Sequence, residues 1–122
     1  MKVLIVDDDP EIREVLKVFL ESNGLLVSVA ENAETALKRL VLEEPDLVML
    51  DIVLPDKSGL EVLKEIRELD RRVSVAMITG YKEAEKVVEA FRLGAIDCLL
   101  KPFNFEYIKN NLLPRITPRN PV

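Results

Sequence analysis

At 122 residues, with 48% hydrophobic and 32% charged residues, the chain has the composition of one ordinary globular domain and is too apolar to be a disordered one. Its formal net charge of -5 argues against binding bare nucleic acid or an anionic membrane surface, both of which select basic patches. With no histidine, the chain itself offers no imidazole acid–base, metal-binding or phosphohistidine chemistry.

Val3 to Val6 is a short apolar run that stops at Asp7, Asp8, Asp9 and Pro10, the pattern of a buried strand running into an acidic loop. Asp8 and Asp9 are both placed to cap the helix that follows, with Pro10 just inside it. Ile12, Val15, Leu16, Phe19 and Leu20 keep helical spacing until Asn23-Gly24 closes the helix. Leu25 to Ala30 reads as a second strand. Asn32 caps a second helix, with Ala33, Ala36, Leu37, Leu40 and Val41 on its apolar face and Pro45 forbidding continuation. Leu47 to Leu50 is the third strand, and it delivers Asp51 to its end.

Ser58 caps a third helix through Val62, Leu63, Ile66 and Leu69, and Val73 to Ile78 forms the fourth strand before Thr79-Gly80. A fourth helix carries Ala84, Val87, Val88 and Phe91, read mostly as core stripe, up to Gly94. Gly59 and Gly94 read as residues that let a helix begin and end. Ile96 to Leu100 is the fifth strand, followed by Lys101-Pro102 and a short helix holding Phe105, Ile108 and Leu112. Pro114, Pro118 and Pro121 mark residues 114–122 as an extended tail or linker beyond a domain of residues 1–113. No apolar run reaches membrane-spanning length and the single cysteine, Cys98, leaves no internal disulfide, so the expected compartment is the cytoplasm.

Strands that are apolar on both faces, alternating strictly with helices, imply a five-stranded parallel sheet covered by five helices in a doubly wound α/β fold. Ligands of such sheets bind outside the carboxyl ends of the strands, and Asp7, Asp8, Asp51, Thr79 and Lys101 all fall there. Taken singly, the acidic triplet is a helix cap, Lys101 a solvated loop lysine and Thr79 a strand end. Their shared rim favours one site. Carboxylates gathered there repel one another unless a cation joins them, and oxygen donors without histidine or thiolate suit Mg2+. A carboxylate beside such a cation can attack phosphorus and form an acyl phosphate; Asp51 is the residue placed to do so. Lys101 would then offer a point charge and Thr79 a hydroxyl donor to the phosphoryl oxygens.

Four segments carry a resemblance: Leu4-Ile5-Val6-Asp7-Asp8-Asp9-Pro10, Val48-Met49-Leu50-Asp51-Ile52-Val53-Leu54-Pro55-Asp56-Lys57-Ser58-Gly59, Ile78-Thr79-Gly80-Tyr81 and Leu100-Lys101-Pro102-Phe103. In order, strand placement and spacing they resemble the receiver domain of bacterial two-component response regulators. The resemblance implies a flavodoxin-like sheet of strand order 2-1-3-4-5. It implies that Asp51 is the phosphoacceptor, served by a sensor histidine kinase. It assigns the Mg2+ to Asp7, Asp8, Asp51 and the backbone carbonyl of Val53, the phosphoryl contacts and switch to Thr79 and Lys101, and a cis peptide to Pro102.

Val53 and Tyr81 fall where the family flanks the attacking water, which implies slow hydrolysis of the acyl phosphate. Cys98 falls where the family has an inward-turning aromatic residue, so the second half of the switch is muted or passes to Tyr81 or Phe103. Cys98 itself reads as a small buried hydrophobe in preference to a redox sensor. The face made by the fourth helix, fifth strand and fifth helix is the family's usual partner surface, and a homodimer through it is one use the resemblance allows, with no direct nucleic-acid or membrane contact expected.

Two other readings compete. Leu4-Ile5-Val6-Asp7-Asp8-Asp9 also resembles the start of haloacid-dehalogenase-type phosphatases, with Asp7 as nucleophile, but the acidic pair that family needs late in the chain is missing around Leu99-Leu100-Lys101-Pro102. A binding-only receiver that is never phosphorylated is the other. The Ile78-Thr79-Gly80-Tyr81 and Gly94-Ala95-Ile96-Asp97 segments further resemble transcriptional regulators that carry ATPase and DNA-binding domains.

Overall fold

The computed structural model of the protein describes residues 1–119, Tyr81 by its backbone alone. Five strands, β1 (Lys2–Val6), β2 (Leu26–Ala30), β3 (Leu47–Asp51), β4 (Ser74–Thr79) and β5 (Asp97–Leu100), pair in parallel in the order β2-β1-β3-β4-β5. Four helices, α1 (Pro10–Ser22), α2 (Ala33–Glu43), α3 (Gly59–Leu69) and α4 (Lys86–Arg92), connect them, and α5 (Phe105–Tyr107) follows the last strand. No helix among the described residues is long and apolar enough to cross a membrane.

Alternation along each strand divides the core into two layers. Val3, Ile5, Met49 and Ile78 point to one face, where Leu16 and Leu20 of α1 and Ile108 and Leu112 beyond α5 cover them. Leu4, Val6, Leu50 and Met77 point to the other, against Ala36 and Leu40 of α2, Val62, Leu63 and Ile66 of α3 and Ala90 of α4. Both faces being buried explains why the strands read as continuous apolar runs rather than as alternating ones.

The helix boundaries follow from caps. Asp9, rather than Asp8, caps α1 by accepting the Glu11 N–H at 2.9 Å, with Pro10 at the first helical position. Asn32 accepts the Thr35 N–H for α2 and Ser58 the Leu60 N–H for α3. Gly24 and Gly94 follow α1 and α4 with φ of +82° and +100°, the left-handed turn that glycine makes at least cost.

The apolar stripes are narrower than their sequence spacing suggests. Val15, Val41 and Leu69 lie on the margins of their stripes and are exposed. The difference is largest in α4. It is preceded by a separate 3-10 turn (Tyr81–Glu83), and it rests on the small side chain of Ala90, leaving Ala84, Val88 and Phe91 in solvent. The expected core stripe of α4 is therefore mostly a surface. An alanine at the contact lets a two-turn helix sit close to the sheet, and the larger residues on either side are turned away.

The last segment also departs from expectation. α5 runs on without a break as a π-helical stretch (Ile108–Leu112) and a 3-10 turn (Leu113–Arg115), so Pro114 is inside a helical turn. Ile116 is buried in the α1 and α5 layer, and Arg119 pairs with Asp70 while its N–H reaches Asp46 at 2.6 Å. The chain from 114 to 119 thus folds back under the sheet instead of leaving it as an extended tail; Pro121 lies outside the described residues. Ile116→Ala is expected to lower the unfolding free energy by about 2–4 kcal/mol, the cost of a buried cavity. Urea denaturation checks this, and an unchanged midpoint would show that the segment contributes nothing to the fold.

Candidate functional site

β1, β3, β4 and β5 end at one rim and bring Asp7, Asp51, Thr79 and Lys101 together, four residues spread over 95 positions of sequence that share no local periodicity. Asp7 and Asp51 are buried, with the Asp7 side chain fully enclosed and that of Asp51 keeping 9% of its surface. Asp7 Oδ1 accepts the Asp9 N–H at 2.9 Å, and Arg13 donates to the Asp7 carbonyl at 2.8 Å, which fixes the acidic turn from the first coil of α1. Asp51 Oδ1 accepts the Val53 N–H at 2.9 Å, and its Oδ2 accepts from Lys101 Nζ, also at 2.9 Å. The same ammonium lies 3.0 Å from Asp7 Oδ2.

One ammonium against this many carboxylates leaves an imbalance. Burial, reinforced by the Asp51 charge, pushes the Asp7 carboxyl up from 3.8 to about 6, against the opposing pull of the Asp9 N–H and of Lys101. Burial draws the Lys101 ammonium downward, but its close contacts with the Asp51 and Asp7 carboxylates outweigh that and leave it above its ordinary value. Asp7 Oδ2 is buried and has no hydrogen bond, the ionic contact with Lys101 being off the necessary angle. Asp7, Asp8 and Asp51 each offer an oxygen, all within 4.8 Å of one another. An unsatisfied buried carboxylate oxygen beside two further carboxylates fits a hard divalent cation, and an all-oxygen donor set suits magnesium better than a softer metal.

The loop after β3 is held against the site by a steric constraint. The Gly59 N–H donates to the Ile52 carbonyl at 2.7 Å, and a Cβ at Gly59 would lie 2.1 Å from the Asp51 carbonyl oxygen and 2.7 Å from Ile52 Cα. Gly59 is therefore required by close approach of α3 to the backbone of Asp51, a demand stronger than helix initiation. Val53 and Ser58 bridge across the same loop, and Val53 stands half exposed beside Asp51. Sequence reasoning missed three contributors here. Asp56 reaches α2, Arg13 reaches the Asp7 carbonyl and Gly59 packs on Asp51; only the glycine left a local signal, its place just after the Ser58 cap.

The remaining expected residues are placed as follows. Thr79 ends β4 and is buried, and its hydroxyl donates to the Gly80 carbonyl at 3.1 Å rather than to Asp51. The Lys101 N–H donates to the Thr79 carbonyl at 2.9 Å, tying the two phosphoryl-contact candidates through the backbone. The Lys101–Pro102 peptide is cis. Cys98 pairs with Met77 and packs, half-buried, on the α2, α3 and α4 layer; burial and then Asp97 push its thiol up to about 11, so it is a neutral thiol near pH 7. The Tyr81 side chain lies outside the described part of the structure.

With this rim in view, residues 3–113 match the model of the response regulator receiver domain, and the chain belongs to that family. Among relatives, it is 36% identical over 109 residues to sporulation initiation phosphotransferase F of Bacillus subtilis, covering 89% of this chain and 88% of that protein. It is 38% identical over 105 residues to regulatory protein AtoC of Escherichia coli, covering 86% of this chain but 23% of AtoC. The chain spans half or less of the length of the first curated relatives it matches. The crystal structure of the receiver domain of NtrX from Brucella abortus superposes with a TM-score of 0.84 at 35% identity, over 88% of this chain and 91% of that one. The flavodoxin-like order expected from the resemblance is the order observed, and the chain is a receiver domain of phosphorylation-based two-component signalling.

Two outcomes follow from the geometry. Gly59→Ala should cost about 1–3 kcal/mol or more, because backbone rather than a yielding side chain meets the new methyl; thermal or urea unfolding measures it, and neutrality would contradict the close approach. The second concerns pH. Asp7 binds its proton more tightly folded than unfolded, so without divalent ions its contribution to stability is full below about pH 3.8 and is lost as the pH rises through about 6. In chelator, wild type should therefore lose stability relative to Asp7→Asn across that window, by at most about 1.4 kcal/mol per unit of pH. Parallel curves for the two proteins would refute the shift.

Proposed function

We propose that Asp51 is the phosphoacceptor, that a sensor histidine kinase is the donor, and that Mg2+ bound by Asp7, Asp8, Asp51 and the Val53 carbonyl assists the transfer. The observation that carries this reading is Lys101 Nζ, 2.9 Å from Asp51 Oδ2 and 3.0 Å from Asp7 Oδ2. The ammonium is already where the oxygens of an entering phosphoryl group need a cation. Asp51 also keeps some solvent access, whereas Asp7 is enclosed and is partly protonated near pH 6. This makes Asp7 the poorer nucleophile and disfavours the haloacid-dehalogenase reading.

In the step itself the bond from phosphorus to the donor's imidazole nitrogen breaks as the bond to an Asp51 carboxylate oxygen forms. The cation, when bound, neutralises the carboxylates and the phosphoryl oxygens. The chain's own part is to present Asp51 through the Val53 N–H and to supply Lys101. The Thr79 hydroxyl, now on the Gly80 carbonyl, exchanges that acceptor for a phosphoryl oxygen. The added charge of about -1.5 to -2 favours the exchange.

Val15 and Val18 stand exposed on α1, which starts two residues beyond Asp8, and give an incoming donor protein an apolar strip to rest on. Relay runs to the face of α4, β5 and α5, where Val88, Phe91, Leu100 and Tyr107 are exposed together with the free edge of β5; homodimerisation through this face belongs to the same proposal. Cys98 exposes no large apolar surface when its surroundings move, so Phe91 and Leu100 are better placed than the switch position itself to be read.

Incubation with acetyl phosphate and Mg2+, followed by intact mass, should show addition of one phosphoryl group to wild type and none to Asp51→Asn. An unmodified wild type sinks the phosphoacceptor assignment. Mg2+ should raise the melting temperature, by the equivalent of about 2.7 kcal/mol at a hundred times its Kd, with a smaller rise in Asp51→Asn. With Val53 beside the acceptor, the label should persist in the isolated domain with Mg2+ present, and prompt loss would remove Val53 and Tyr81 as hydrolysis-slowing residues.

A further inference from the structure

We infer that Asp56 is a positioning residue for the phosphoacceptor loop, clipping the apex of that loop to the start of α2 so that Val53 is held in place against Asp51. The inference rests on the reading of Asp51 as the acceptor. The loop from Ile52 to Ser58 is closed at its base by the Gly59 N–H on the Ile52 carbonyl and by the Val53 and Ser58 bridge. Its apex is held differently. Asp56 Oδ1 accepts the Ala33 N–H at 2.9 Å and Oδ2 accepts the Glu34 N–H at 3.1 Å, contacts that cross 23 and 22 positions of sequence.

Those two donors belong to the first turn of α2, whose N–H groups have no partner within the helix and carry the positive end of its dipole. A carboxylate is the side chain best suited to take both. The third free donor, Thr35 N–H, goes to Asn32 Oδ1 at 2.8 Å. The start of α2 therefore has two independent caps, one local and one supplied by the loop that carries the site. Lys57, the next residue in the loop, bonds only Glu65 of α3, so among the described side-chain bonds of residues 54–57 Asp56 alone ties the apex to α2. Leu54 is buried in the core layer to which α2, α3 and α4 contribute, so its side chain is not available to make a polar tie to α2.

The consequence for the site runs through Val53. Its N–H holds Asp51 Oδ1, and it is itself one half of the base bridge, three residues before the clipped Asp56. Freed from α2, the apex no longer braces that bridge, and Val53 shifts at the bridge itself. Val53 then loses its alignment on the acceptor carboxylate, although α2 and the sheet stay folded.

The two caps separate this role from plain helix stabilisation. Asp56→Ala and Asn32→Ala should lower the melting temperature by similar amounts, since each leaves donors of the same helix turn uncapped. Only Asp56→Ala should shift the Val53 and Leu54 amide resonances of the metal-free protein. It should also weaken Mg2+ binding and slow labelling by acetyl phosphate, each by about tenfold, the lower end of what loss of an outer-shell partner costs. Asn32→Ala should stay within about twofold of wild type in both, and Asp56→Asn, which keeps one oxygen for one N–H, should fall between. Equal effects of Asp56→Ala and Asn32→Ala, or an unmoved Val53 resonance in Asp56→Ala, overturn the clip. A wild type that takes neither Mg2+ nor label overturns the acceptor reading instead, while the Val53 resonance, which needs neither, still decides the clip.

Discussion

Lys101 stands between two carboxylates that the parallel sheet forces together. β1 and β3 are neighbours, so whatever follows Val6 and Leu50 must meet at the same rim, and in this chain both successors are acidic. A carboxylate that is buried, and beside a like charge, is ordinarily relieved by taking up a proton, and the Asp7 carboxyl, raised chiefly by burial and further by Asp51, shows that tendency. The ammonium on β5's far side of β4 restrains it, since it reaches both carboxylates at about hydrogen-bond distance. The compensation is partial, as Asp7 Oδ2 remains without a hydrogen bond. A site left short of positive charge in this way is prepared for a cation, and one whose lysine is already in place is prepared for an anion beside it.

The same rim shows how the backbone serves the chemistry. Gly59 lets α3 press on the Asp51 carbonyl, Arg13 steadies the Asp7 carbonyl from α1, and Asp56 fastens the intervening loop to α2. Three helices thus reach the acidic rim, α3 and the α2 clip on the Asp51 side and α1 on the Asp7 side. By contrast, the Thr79 hydroxyl bonds only the neighbouring Gly80 carbonyl, and the short α4 beyond it touches the sheet through Ala90. The side-chain ties between elements gather around Asp7 and Asp51 and do not reach the Thr79 hydroxyl. Under the function proposed above, a phosphoryl charge at Asp51 would be accommodated by the Thr79 loop and α4, beside which Phe91, Val88 and Leu100 are exposed.

Much of the fold was legible because its signals are local. Asn32 and Ser58 announce their helices by side-chain capping, Gly24 and Gly94 their ends by backbone freedom, and the unbroken apolar runs at Val3 to Val6 and Leu47 to Leu50 could be satisfied only by burial on both faces. Where one residue's environment depends on how an element is tilted against its neighbours, the same reasoning failed. Val88 and Phe91 have the spacing of a core stripe, yet α4 sits on Ala90 and turns them outward. Ile116 looked like part of a free tail because prolines flank it, and the hydrophobic gain of covering the α1 and α5 layer draws it in.

The sequence by itself determined the alternation of strands and helices, the placement of Asp7, Asp8, Asp51, Thr79 and Lys101 at strand ends, and hence an acidic crevice with one lysine, since burial and capping act on neighbours in the chain. Only the tertiary structure decided which atoms meet. That Lys101 spans Asp7 and Asp51, that Asp56 closes on Ala33 and Glu34, and that Gly59 must lack a side chain are contacts between elements. Their partners lie about 20 to 95 positions apart or, for Gly59, on facing backbones, and no local pattern encodes a distance of that kind.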